Sequence, residues 1–224
     1  MTISLTTIDG KTGLINSSDE KAKPVVVDFQ NRGLLRRIQT GSVRQGLAKA
    51  VGLDKKKGVK VVDATAGLGI DAFYLAAMGC EVTMLEKSSV VFRLLEDGIR
   101  RGLACEDSGI VEALHRTMLI QQDSMNYFAG ITAGVVDQPD TIYLDPMFPQ
   151  RQKSARVKKG MSALQELLGP DDNIELMLAQ ARKVAGRVVL KKPGKISKNP
   201  DPAPSFQVPG KTCHFQVFID PEKV

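Results

Sequence analysis

Two rhythms of apolar residues run along this chain. Over the first 30 residues they alternate in short stretches. Residues 1–7 and 13–17 read as strands on either side of Ile8-Asp9-Gly10-Lys11, where Asp-Gly signals a tight turn. The β-branched run at 25–29, after Lys23-Pro24, has the composition of a third strand. Around Ser42 the spacing becomes helical: Ser42 can cap a helix that carries Val43, Leu47, Ala50 and Val51 on one face, and Gly52 closes it.

From Val59 onward strands and helices alternate. The pattern predicts strands at 59–63, 81–85, 118–121, 141–144, 187–191 and 214–219. Between them it predicts helices at 71–78, 88–101, 111–114, 162–168 and 174–184. The stretch 193–209 is proline-rich and reads as a connection. Such alternation implies an α/β fold with a mainly parallel, doubly wound sheet. It places a β-rich extension at 1–40 ahead of one α/β domain at 41–224.

At 224 residues the chain is long enough for a substantial core. Its 42% hydrophobic and 25% charged residues argue against wholesale disorder. No apolar run approaches the roughly 18 residues of a membrane span. The first ten residues lack the pattern of a secretory signal. A cytoplasmic protein is the expectation. Three separated cysteines (Cys80, Cys105, Cys213) and two histidines (His115, His214) support neither a disulfide framework nor a metal centre.

Charge changes the picture more. The formal net charge is +6, and residues 151–200 alone hold 12 Lys and Arg against 4 Asp and Glu. A second basic group comprises Arg32, Arg36, Arg37, Arg44 and Lys49, followed by Lys55-Lys56-Lys57. Basic regions flanking a neutral-to-acidic middle point to a polyanionic partner.

Two segments carry candidate chemistry. The first runs from the strand at 59–63 through Asp63-Ala64-Thr65-Ala66-Gly67-Leu68-Gly69-Ile70-Asp71 into a helix. Glycines at Gly67 and Gly69 let backbone approach a ligand beyond the strand's carboxyl end. Seventeen residues after Gly69, Glu86 ends the next strand, where a carboxylate can accept from both hydroxyls of a ribose. Gly67-x-Gly69-x-x-Ala72 also matches the dinucleotide fingerprint, so the turn alone admits either NAD or S-adenosylmethionine. Asp63 and Asp71 favour the latter. Asp63 can receive an amino-acid ammonium group, whereas both acids would repel a docked pyrophosphate. Asp123, with Ser124 after it, ends another strand at a position suited to reading an adenine amino group or capping a helix.

The second segment is Tyr143-Leu144-Asp145-Pro146-Met147-Phe148-Pro149. It resembles the Asp/Asn-Pro-Pro-Tyr/Phe motif of methyltransferases that act on exocyclic amines of bases. The Asp145 carboxylate and Pro146 carbonyl can accept hydrogen bonds from such an amine. Phe148 offers a ring on which a base can stack. Arg151, Lys153, Arg156, Lys158 and Lys159 follow at once, within reach of phosphates beside the target. Gly10-Lys11-Thr12 and Gly210-Lys211-Thr212 are not phosphate-binding loops, because the required upstream glycine is replaced by Leu5 and Ser205.

Asp63–Gly69, Asp71-Ala72-Phe73, Met84-Leu85-Glu86-Lys87, the Asp145 motif, Gln152-Lys153-Ser154-Ala155 and Gly169-Pro170-Asp171 together resemble one family. It is the bacterial small-subunit ribosomal RNA methyltransferase J family, and the likeness runs from Gly41 to the C-terminus. The resemblance implies a Rossmann-like methyltransferase fold with S-adenosylmethionine as cofactor. It implies methylation of a guanine exocyclic amine in 16S rRNA, as naked RNA or within the small ribosomal subunit. The family's cofactor contacts fall on Ile70-Asp71, Glu86-Lys87, Asp123-Ser124 and Asp145. Arginine is usual where Ile70 stands, so only backbone contact is expected there. An oxidoreductase or a non-catalytic RNA-binding protein are the alternatives.

Overall fold

The computed structural model describes residues 3–16, 23–40, 42–147, 168–169, 173–196, 198–210 and 212–223. The N-terminal strands β1 (Ile3–Ile8) and β2 (Lys11–Asn16) form an antiparallel hairpin. Asp9 and Gly10 turn it with φ of 49° and 73°. Two successive left-handed residues match the twist of the strands, which is what Asp-Gly supplies.

The run at 25–29 departs from the strand expected of it. Val25 makes one bridge to Leu14, and the chain then continues extended without a ladder. Val25, Val27 and Phe29 are nevertheless buried, and the residues between them less so. A period of two thus arises from alternate burial, with no ladder among the described residues beyond the bridge to Leu14. Helix α1 (Arg32–Thr40) follows, where the apolar pattern predicts none. The Asn31 side chain accepts from the N–H groups of Gly33 and Leu34 at its start. Helix α2 spans Ser42–Val51, and Leu47, Ala50 and Val51 are buried along it.

The main sheet contains β3 (Lys60–Asp63), β4 (Glu81–Leu85), β5 (Thr117–Ile120), β6 (Thr141–Leu144), β7 (Arg187–Pro193), β8 (Phe206–Pro209) and β9 (Cys213–Ile219). Their order is β5-β4-β3-β6-β7-β9-β8. The first five pair in parallel, and β9 and β8 add an antiparallel edge. The short β8 lies inside the stretch read as a connection. Its four residues end in Pro209 and are too few to show an alternation.

Helices α3 (Ile70–Ala77), α4 (Ser89–Leu103) and α5 (Ser108–His115) belong with α2 to one core, against Val61, Met84, Tyr143 and Val189 of the sheet. Helices α6 (Ser124–Thr132) and α7 (Ile174–Val184) cover the other face, against Val62, Leu85, Ile142 and Leu190. Adjacent strand residues thus serve opposite cores. This explains the almost unbroken apolar runs of β3, β6 and β7. Side chains cap several of these helices: Ser88 accepts from Val91, and Asp107 from Gly109 and Ile110.

The hairpin is fastened to α4 by one carboxylate. Asp97 accepts from the Thr12 N–H at 3.0 Å and from Arg101 and Arg100 at 2.8 and 2.7 Å. Arg101 also donates to the Val27 carbonyl. Burial works to raise the Asp97 pKa, but these donors outweigh it and hold the carboxyl at about 2.

Candidate active site

β3 and β6 lie side by side at the centre of the sheet. The chain leaves β3 toward β4 on one side, while the strands beyond β6 continue on the other. The carboxyl ends of such a pair open a crevice where ligands bind in this architecture. A cleft of about 770 Å³ occupies that position.

The glycine turn forms one wall. Gly67 and Gly69 adopt φ of 53° and 71°, in the left-handed region that favours glycine. A Cβ on Gly67 would meet only the Thr65 carbonyl oxygen, 3.8 Å away, so this turn faces open space. A Cβ on Gly69 would stand 2.6 Å from Leu95 Cδ1. The second glycine therefore serves the packing of α4, and it is absent from the cleft lining. Ile70 and Leu68 do line it.

Glu86, 7% exposed, reaches across to this turn. Its carboxylate accepts from the Gly67 N–H at 3.1 Å and the Ser88 N–H at 2.7 Å. It thus fixes the turn while presenting a charged edge to the cleft. Lys87 lies exposed at the rim. On the opposite lip Asp123 caps α6 by accepting from the Met125 N–H at 2.8 Å, and it also lines the cleft. Ser124 is buried and donates to the Ala64 carbonyl at 2.5 Å, tying α6 to the end of β3.

Deeper in, three carboxyls gather around one ammonium. Lys191, on β7, donates to Asp71 Oδ2 at 2.6 Å and to Asp145 Oδ2 at 2.7 Å. The Tyr143 hydroxyl donates to the same Asp71 oxygen at 2.6 Å. The Asp145 N–H donates to Thr65 Oγ1 at 2.6 Å, and the Thr65 N–H donates to Asp63 Oδ1 at 3.1 Å. One chain of contacts therefore joins the glycine turn to the Asp-Pro segment.

Burial pushes the Asp63 carboxyl up to about 8, with Asp71 and Asp145 adding to the shift. Burial also raises Asp145, while Lys191 opposes the rise. For Lys191 itself burial pulls downward, but the two carboxylates prevail and its pKa rises. A solvent-shielded acid at the strand end fits an ammonium group, which would restore its charge. The three carboxyls disfavour a pyrophosphate. With a Glu86 carboxylate able to accept from hydroxyls and a volume suited to a small molecule, the site fits S-adenosylmethionine better than a dinucleotide.

The cleft gathers Asp63, Gly67, Ile70, Asp71, Glu86, Lys87, Asp123, Ser124 and Asp145. Pro146 is buried directly after Asp145, and Met147 lines the same cleft. Phe148, Arg151, Lys153, Arg156, Lys158 and Lys159 lie outside the described residues. Lys191 is the site residue that the sequence motifs leave unmarked. The signal available is a lysine closing an otherwise buried strand, at the end where this fold class binds ligands. Among the described residues no cluster of three or more His, Cys, Asp or Glu could hold a metal ion. Among them also, no helix is long and apolar enough to cross a membrane.

Comparison with known proteins agrees with this geometry. Residues 2–220 match the family described as "Putative SAM-dependent methyltransferase". A ribosomal RNA small subunit methyltransferase J from Alteromonas mediterranea is 41% identical over 213 residues, covering 94% of this chain and 80% of that protein. Its namesake from Shewanella oneidensis is 42% identical over 209 residues, covering 92% of this chain and 82% of its own. A crystal structure of a SAM-dependent methyltransferase from Neisseria gonorrhoeae superposes with a TM-score of 0.71 at 31% identity. That match covers 93% of this chain and 79% of the other.

Proposed function

The chain belongs to the ribosomal RNA small subunit methyltransferase J family, and on that premise we propose how its residues carry out the reaction. It is an S-adenosylmethionine-dependent rRNA methyltransferase. Its substrate is the exocyclic N2 amine of a guanosine in 16S rRNA, met in the cytoplasm on naked RNA or on the assembling small subunit. The observation that carries the reading is the placement of Asp145 at the carboxyl end of β6, across one cleft from Asp63, Gly67 and Glu86, with Pro146 buried directly after it.

S-adenosylmethionine supplies a methyl group activated by its sulfonium charge. Asp63 would hold its ammonium group, Glu86 its ribose hydroxyls, and Asp123 with Ser124 its adenine edge. The backbone at Gly67 and Ile70 leaves space for the chain between them. Lys87 guards the rim. On the substrate side the Asp145 carboxylate and the Pro146 carbonyl accept hydrogen bonds from the two amine protons. This fixes the direction of the nitrogen lone pair, a positioning contribution. The amine proton departs to water after transfer, so acceptors rather than a strong base are what the site must provide. Phe148 stacks on the extruded base, and Arg151, Lys153, Arg156, Lys158 and Lys159 contact neighbouring phosphates.

The test is transfer of labelled methyl groups to unmodified 16S rRNA, with nucleoside mass spectrometry of the product. N2-methylguanosine is expected. Methylation at any other atom, or none with a folded, cofactor-binding protein, refutes the reading.

A further inference from the structure

The contacts of Lys191 give it a role beyond those of the cofactor and amine ligands, one that rests on the reading of Asp145 as the amine's acceptor. We infer that Lys191 is a positioning residue for methyl transfer, holding the Asp145 carboxylate charged and in a fixed orientation toward the target amine.

Register places it there. β6 and β7 pair in parallel with Leu144 opposite Leu190, so Asp145, the first residue beyond β6, lies beside Lys191, which stays in β7 and pairs with Phe215 of β9. The resulting contact of 2.7 Å is joined by a second, from the same ammonium to Asp71 at 2.6 Å. A lysine ammonium pinned by two carboxylates on different elements has little freedom to rotate away. A single exposed ion pair would not hold it so. The Asp145 backbone is fixed independently, by its N–H bond to Thr65. Main chain and carboxylate of the acceptor are therefore both held before any substrate arrives, as preorganised catalysis requires.

The charge matters as much as the geometry. Asp145 is faced by Asp71 from α3, by Asp63 from the end of β3, by Tyr143 from β6 and by Cys213 from β9, whose thiol is itself raised by burial. Among the described groups around it, Lys191 supplies the positive charge. Without it, Asp71 and Asp145 would be neighbouring like charges in a shielded site, and the rise that burial imposes on Asp145 would go unopposed. A protonated Asp145 is a poorer acceptor for the amine.

Single-turnover methylation of 16S rRNA across pH, with separate titration of S-adenosylmethionine, tests the inference. Lys191→Met should slow transfer at pH 7 by roughly 10- to 100-fold. Cofactor affinity should stay within about threefold. The acidic limb of its rate profile should move about one pH unit or more to the alkaline side, the scale of a lost neighbouring charge. Lys191→Arg should restore the position of the limb and most of the rate. Should Lys191→Met fail to fold, Lys191→Gln carries the same comparison. A uniform loss at all pH values with the limb unmoved, a wild-type rate, or a cofactor affinity that falls in step with the rate would each overturn the role of Lys191. Asp145→Asn separates the two layers. If it keeps the wild-type rate and limb, the reading of Asp145 fails and the Lys191 role with it. If it is slow and flat while Lys191→Met leaves the limb unmoved, the Lys191 role fails alone.

Discussion

Replacing Glu86 with alanine separates two duties that one carboxylate performs. Its oxygens accept the Gly67 N–H at 3.1 Å and the Ser88 N–H at 2.7 Å, at a position 7% exposed. A carboxylate has about four acceptor sites, so two backbone donors do not exhaust it. Truncation orphans those two donors, each at a cost of about 1–3 kcal/mol if it stays dry. Cleft water can reach them, so a total loss of stability near 2 kcal/mol is expected. Hydrogen bonds to a charged group contribute about 1.5–3 kcal/mol, so losing the ribose contacts should weaken S-adenosylmethionine binding by roughly 10- to 150-fold. Glu86→Gln should fall between, since its amide keeps one acceptor oxygen and turns an NH₂ toward a backbone donor. Calorimetric titration measures the affinity and denaturant melts the stability, while RNA binding should hardly change. A folded Glu86→Ala protein with wild-type cofactor affinity would refute the ribose assignment. One that lost affinity but no stability would refute the anchoring of the glycine turn.

Further outcomes follow from the charges. Asp63 is raised in the folded protein from near 3.8 to about 8, so its contribution to stability is full below the lower value, erodes as pH rises and is gone above the upper one. The melting temperature of the cofactor-free protein should therefore decline between pH 5 and 8 less steeply in Asp63→Asn. Titration of S-adenosylmethionine near pH 7, in buffers of different ionisation enthalpy, should show up to about one proton released by wild type and none by that variant. Asp97 is depressed to about 2, so its stabilisation is present above the ordinary carboxylate range and is lost as pH falls through that value. Asp97→Asn should lower stability at pH 7 by about 1–3 kcal/mol in denaturant melts, and an unchanged midpoint would refute its role as the hairpin's fastening. Replacing Lys153, Arg156, Lys158 and Lys159 together with alanine should weaken RNA binding and reduce its salt dependence by up to about 0.7 per lost contact to single-stranded RNA. An unchanged slope would return that run to plain surface.

Sequence patterns reveal this molecule where physics is local. Val61-Val62-Asp63 and Ile142-Tyr143-Leu144-Asp145 show their nature because parallel strands buried on both faces need apolar residues throughout. The polar residue that ends each run is consequently conspicuous. Ser88 marks a helix start for an equally local reason, whereas Asp107 caps α5, which begins three residues before the helix read at 111–114. The failures are tertiary. Residues 25–29 alternate in burial and so imitate a strand, but among the described residues only the Val25–Leu14 bridge pairs them, short of a ladder. Helix α1 is harder to read because Leu34, Leu35 and Ile38 are its few apolar residues among polar ones, although Leu34 is buried. Lys191 does not reveal its partner in the sequence, for another reason. It stands 46 residues from Asp145, and only the register of β6 against β7 makes them neighbours. Asp71, expected as a contact for the cofactor, lines the cleft. Its bonds to Tyr143 and Lys191 are not legible in a helix start.

The central claim is that Asp145 orients a guanine amine for methylation, and a single comparison tests it most directly. Single-turnover methylation of unmodified 16S rRNA should proceed on the order of 10²–10³ more slowly in Asp145→Ala than in wild type, the usual cost of one preorganised contact. RNA affinity should be nearly unchanged, because the contact serves the reacting amine. Asp145→Asn should retain part of the activity through its remaining carbonyl acceptor. A folded, RNA-binding Asp145→Ala protein that forms N2-methylguanosine at the wild-type rate would contradict the account.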